Sequence, residues 1–256
     1  MTLVTEQQIY LFFLLLVRAT AMFASAPVFS DRAIPNMYKI GLGGLLAIII
    51  FPIADAKNFD LNFNHISAVM LVFQEILTGV TIGFTISLLF AGVSFAGEYV
   101  GLDMGFTMAQ VFDPTLNQTV SVIARLKNVA AILFFLILDG HHFLIQAVVY
   151  SYEVLPIGGW KISTLGMEKL MMLTAQVFVI GIKVAAPVIV ALFLTSVAMG
   201  IIARAVPQMN IFFVGFPIRI AAGLSFMAFG FPVFVYVFRV LLTQFQEDII
   251  FLLKAF

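Results

Sequence analysis

Charged residues break a largely apolar sequence at a few places, and those breaks outline its helices. Residues 7–26 form a first run with Arg18 inside it; at 1.5 Å per residue it is long enough to cross the ~30 Å core of a bilayer. A guanidinium at that depth costs at least ~2.5 kcal/mol on insertion scales, so Arg18 is expected to face protein or water and not lipid. A turn over 30–36 leads to a shorter run, 37–53, punctuated by Gly41, Gly43 and Gly44 and closed by Pro52. Residues 55–64 are the most polar of the first half, and Asn64 can serve as N-cap for a third helix over 66–97. Residues 129–138 are too short to span a membrane unless they join 142–152 across Asp139-Gly140-His141-His142. After a polar connection at 153–169, where Trp160 reads as an interfacial anchor, two long runs follow. The first, 170–203, carries charge only at Lys183, and the second, 211–242, only at Arg219 and Arg239.

These last two runs predict a helical hairpin with a short polar tip of Arg204, Pro207, Gln208 and Asn210. Pro207 lacks an N–H and biases Val206 away from helical dihedrals, so the first helix is expected to end at Arg204 or Ala205. Arg204 then falls in the last turn, where a cation suits the negative end of the helix dipole. Pro187 is expected to kink the first helix, and Pro217 and Pro232 the second. Lys183, Arg219 and Arg239 have too few carboxylates within this hairpin to pair there. Their partners are expected from Glu75 or Asp103, or from another subunit.

The third helix carries a periodic feature. Gly79, Gly83, Ser87 and Ala91 recur every four residues, and Gly97, Gly101 and Gly105 continue at the same interval. Small residues on one face let another backbone approach closely, which is how helices associate where lipid competes for apolar contacts. Glu75 precedes Gly79 by one turn. Beyond Glu98, Gly101-Leu102-Asp103-Met104-Gly105-Phe106-Thr107-Met108-Ala109-Gln110-Val111-Phe112-Asp113-Pro114 mixes glycine, bulky apolar groups and single polar ones. Such backbone is tolerated at membrane depth only where protein or a water-filled cavity satisfies it, so a re-entrant or pore-facing loop is expected at about 101–118.

Composition agrees with an all-α, polytopic membrane-type protein of long kinked helices. At 62% hydrophobic and 10% charged the chain lies far from an ordinary soluble domain. Zero formal net charge gives no electrostatic reason to expect a nucleic-acid partner, and the absence of cysteine removes disulfides, thiol catalysis and Cys-ligated metals. Glu6 in place of a basic region, together with Arg18, reads as a retained N-terminus. Basic residues are spread too evenly to set an orientation. Asp139, His141 and His142 could hold a metal on paper, but adjacent histidines project about 100° apart on a helix, and a surface turn is preferred. Asp103 and Asp113 lack the flanking pattern of an intramembrane protease, and no serine has a histidine partner, so no catalytic activity, metal or cofactor is expected. A secondary transporter would suit the broken helices and isolated charges, but the two halves share no repeat with matching breaks.

The run Ala203-Arg204-Ala205-Val206-Pro207-Gln208-Met209-Asn210, followed by Gly215-Phe216-Pro217, resembles the signature of the FliR/SctT family. Arg18 with Ala26-Pro27-Val28-Phe29, Gln74-Glu75-Ile76 with Gly79 and Gly83, and Ala96-Gly97-Glu98 running on to Asp113-Pro114 extend the likeness in order. The resemblance implies an export-gate subunit of a bacterial flagellum or, alternatively, of a related injectisome, lining and plugging a conduit for unfolded substrates. It implies a FliP-like part over 1–169 and a FliQ-like hairpin over 170–256. Plug residues would be Gly101, Gly105, Phe106, Met108, Gln110, Phe112, Asp113 and Pro114. The implied partners are FliP-type and FliQ-type subunits in a helical assembly, an FlhB-type switch protein, an FlhA-type ring, unfolded flagellar proteins and membrane lipid. The implied place is the bacterial inner membrane, in the flagellar basal body, projecting toward the periplasm.

Overall fold

A computed structural model describes residues 6–31, 34–52, 65–106, 121–208 and 210–256. All regular structure among them is α-helical: α1 (Glu6–Ser25), α2 (Asn36–Ile50), α3 (His65–Met104), α4 (Val122–Ile137), α5 (Gly140–Val154), α6 (Thr164–Ala205), α7 (Ile211–Phe229) and α8 (Phe231–Ala255). An apolar chain without water must satisfy its backbone internally, and the helix does so within each segment. Three helices, α1, α3 and α6, are long and apolar enough to cross a membrane, and there are up to five spans if the pairs α4 with α5 and α7 with α8 each count as one. This is an all-α polytopic membrane protein. At 40 and 42 residues, α3 and α6 extend ~60 Å, about twice a bilayer core.

Several helices depart from the sequence expectation. α3 runs to Met104, seven residues beyond Gly97, so Gly101 and Asp103 are helical and not part of a loop. α4 begins at Val122 instead of 129, which brings Arg125 and Lys127 inside it. α6 starts at Thr164, taking in Glu168 and Lys169. Polar side chains do not stop a helix whose other faces find apolar cover, and hydropathy misplaces ends for that reason. The run after the tip is two helices, α7 and α8, bent by 57° at Gly230. Pro232 therefore lies in the first turn of α8, where its missing N–H costs no intrahelical bond, and it marks a helix start instead of kinking a helix. Pro217 and Pro187 lie inside α7 and α6. Asn64 lies outside the described residues.

The chain forms two compact units: Met1–Leu88, Asp139–Thr174 and Thr243–Phe256 in the first, Leu89–Leu138 and Ala175–Leu242 in the second. In the first, α1 packs on α2, with Leu11, Leu14, Leu15, Ala19, Met22 and Phe23 buried. Gly43 of α2 makes the close approach: a Cβ there would lie 3.2 Å from the Thr20 nitrogen of α1. Trp160 stacks on Phe256 at 5.3 Å, and Lys169 pairs with Asp248 at 2.7 Å. The second unit has an aromatic centre, with Phe90 edge-on to Phe135 at 5.6 Å and to Phe238 at 6.0 Å.

Candidate functional site

Arg18 and Glu75 form the most strongly organised polar cluster. Each side chain is 1% exposed. Arg18 Nε donates to Glu75 Oε2 at 2.6 Å and Nη2 donates to Oε1 at 3.0 Å, a bidentate fork. Nη1 donates to Ser151 Oγ at 3.0 Å and to the Leu155 carbonyl at 3.1 Å. The Tyr152 ring centroid lies 3.9 Å from the guanidinium carbon, and the Tyr152 hydroxyl donates to the Leu15 carbonyl at 3.3 Å. Glu75 Oε1 also accepts from the Gly158 N–H at 3.3 Å. One guanidinium thus ties α1, α3, α5 and the following turn. Arg18 faces protein, as its depth in an apolar run requires. Glu75 serves Arg18, so it does not supply the partner sought for Lys183, Arg219 or Arg239. Ser151, Tyr152 and the Leu155 carbonyl escaped sequence reasoning, because an ordinary serine and tyrosine in a short helix carry no local signal of a partner more than 130 residues away.

The small-residue stripe divides into parts. A Cβ on Gly79 would meet the Arg18 carbonyl, and would lie 2.8 Å from Ala21 Cβ and 3.0 Å from the Met22 nitrogen. One on Gly83 would lie 2.8 Å from both the Met22 carbonyl and the Ala26 nitrogen. Here α1 and α3 touch backbone to backbone. Ser87 is half-buried and donates to the Phe84 carbonyl, and Ala91 is exposed. A spacing of four advances 400° around a 3.6-residue helix, so the row drifts about 40° per step and has left the contact face by Ala91. Gly92 takes over in the second unit, where a Cβ would lie 2.8 Å from Ile180 Cβ. Gly97 abuts Ala124 of α4, 3.0 Å from its nitrogen, and Gly101 abuts Ser121.

The end of α3 is built by Gly105. Its φ of +90° is the left-handed conformation that favours glycine. Its N–H donates to the Leu102 carbonyl at 3.0 Å and the Phe106 N–H to the Gly101 carbonyl at 3.1 Å, the paired bonds of a Schellman cap. Phe216 of α7 closes on Gly105, with ring carbon Cδ1 2.7 Å from where a Cβ would stand. Phe106 is half-buried. Met108, Gln110, Phe112, Asp113 and Pro114 lie outside the described residues.

At the hairpin tip Arg204 occupies the last turn of α6, which ends at Ala205, and Val206 donates to the Ile202 carbonyl at 2.9 Å. Arg204, Pro207 and Gln208 are exposed, and Asn210 caps α7 by position without a side-chain hydrogen bond. Lys183 and Arg239 are exposed and Arg219 is half-buried. The turn before α5 holds Asp139 at φ 56°, with His142 Nδ1 3.1 Å from Asp139 Oδ1 and the two histidine rings 4.2 Å apart. One ligand atom from each of Asp139, His141 and His142 lies within 4.8 Å of the others, closer than helical projection alone suggests, and the first and last of these residues are exposed.

Across residues 9–245 the sequence matches the family described as bacterial export proteins, family 1. Among its relatives, the flagellar biosynthetic protein FliR of Pectobacterium carotovorum subsp. carotovorum is 38% identical over 221 residues, 86% of this chain and 84% of that protein. FliR of Escherichia coli (strain K12) is 35% identical, covering 85% of this chain and 83% of that protein. FliR of Bacillus subtilis (strain 168) is 33% identical, covering 82% of each.

Proposed function

The chain belongs to the bacterial export proteins, family 1, and is a membrane component of a flagellar export apparatus; from that premise we propose that it is a gate subunit, lining and plugging the conduit for unfolded flagellar proteins. The observation that carries this reading is the glycine cap at Gly105. It stops a 40-residue helix and passes the chain directly to Phe106 and a sequence of glycine-poor, bulky apolar and single polar residues. Met108 and Phe112 add unbranched and aromatic bulk that can close a hole and still yield to a passing chain. Gly105 sets the turn, with the Gly101 carbonyl of the last helical turn accepting from Phe106, and Gln110, Asp113 and Pro114 complete the plug.

In this reading residues 1–169 form the FliP-like part and 170–256 the FliQ-like hairpin. FliP-type and FliQ-type subunits complete the wall, and Arg219 and Arg239 serve helix packing within the assembly. The tip of Arg204, Pro207, Gln208 and Asn210 faces the FlhB-type and FlhA-type components, and the assembly projects from the inner membrane toward the periplasm. No chemistry is performed. The test is electrical: replacing Phe106, Met108 and Phe112 together with alanine is expected to leave the complex assembled but raise ion conductance across a reconstituted membrane. Unchanged conductance with normal assembly would refute the plug.

A further inference from the structure

Within the second unit, α4, α6, α7 and α8 line a partly open pocket of about 150 Å³ that belongs to neither the ion-pair cluster nor the end of α3. Its lining residues are apolar, including Pro187, Phe231 and Phe234, except for Lys127 and the exposed Lys183. Lys127 is 8% exposed. Its hydrogen bond runs to the Val184 carbonyl at 3.4 Å, near the limit of such contacts, although an ammonium has three donors. Neither lysine has a carboxylate partner among the described residues. A buried and an exposed cation beside one largely apolar space, the second on a helix apolar enough to cross a membrane, suit an anion that carries hydrocarbon with it.

The geometry points to a binding site for one anionic phospholipid, its phosphate between Lys127 and Lys183 and an acyl segment in the pocket. A space of 150 Å³ holds a benzene-sized group, which suits a short stretch of acyl chain. An aspartate or glutamate from a neighbouring protein would satisfy charge but leave most of the apolar lining uncovered. A lipid satisfies both, and the hydrocarbon continues over exposed Val233 at the rim. Basic pockets between membrane helices select anionic headgroups on the same physical ground.

Native mass measurement on the full chain, purified with whatever apparatus components accompany it, tests the site. Dioleoyl phosphatidylglycerol and dioleoyl phosphatidylcholine are titrated separately. Wild type is expected to take up one phosphatidylglycerol at least tenfold more strongly than phosphatidylcholine, and Lys183→Gln to abolish that preference. Lys254→Gln, removing an exposed lysine elsewhere, is expected to keep it. Lys127→Met gives a second reading where it folds, and Lys183→Gln stands alone where it does not. Equal uptake of the two lipids, unchanged preference in Lys183→Gln, or a crosslink from Lys183 to a carboxylate of a co-purified protein without bound lipid would each overturn the site.

Discussion

Arg18 shows how a single side chain converts a cost into a constraint. Buried without partners it would be prohibitive; with two carboxylate oxygens, a hydroxyl, a carbonyl and an aromatic face around it, it specifies which helices meet. Arg18→Ala leaves Glu75 buried and unpaired, and is expected to cost about 3–5 kcal/mol. The double replacement Arg18→Met with Glu75→Leu is expected to recover most of that loss. Thermal unfolding of the three variants in one detergent checks it, and a double variant no better than Arg18→Ala would show that the pair does not account for the cost. Arg204 makes the opposite case, an exposed cation at a helix end, where charge contributes only about 0.3–1 kcal/mol to stability. Arg204→Glu is therefore expected to leave the protein folded and reduce flagellar secretion, measured as exported filament protein in the medium; full secretion would reduce the tip to an anchor. That Arg18 must be shielded was legible from its place in an apolar run. Its partner was not, because 57 residues separate it from Glu75.

Among the helices, the glycines sort by what stands opposite them. Gly79 and Gly83 meet backbone atoms of α1, which cannot step aside, while Gly223 meets the flexible side chain of Met104. Gly83→Leu is accordingly expected to prevent α1 and α3 from closing and to cut the yield of monodisperse protein severely. Ala91→Leu, at an exposed position of the same sequence row, is expected to leave that yield close to wild type. Size-exclusion profiles of the two variants separate the cases, and equal damage from both would restore a continuous stripe. The four-residue spacing was visible in the sequence; its 40° drift per step, and hence where the contact ends, depends on a helix staying regular long enough to carry residues off the face. The same regularity carried α3 past Gly97 to the cap at Gly105, whose positive φ distinguishes a terminator from the packing glycines before it.

At the level of the protein, much apolar surface stays uncovered by the chain itself. Met37, Ile66, Phe213 and Phe229 are each more than 80% exposed, and α3 and α6 are longer than one bilayer crossing needs. Lipid tails cover a span of ~30 Å, and in the proposed assembly neighbouring subunits would cover the rest of these helices. The chain expressed with other export components is expected to melt at a higher temperature and resist detergent exchange better than the chain expressed alone. Identical melting in both preparations would count against burial by neighbouring subunits.

Helicity, membrane character and the family were readable from sequence because they follow from local composition, periodicity and short ordered motifs. The Arg18 cluster, the handover from Gly83 to Gly92, the break at Gly230 and the burial of Lys127 were set by contacts between distant segments. A buried charge or a glycine declares its need locally, but which distant group meets that need depends on how whole helices pack.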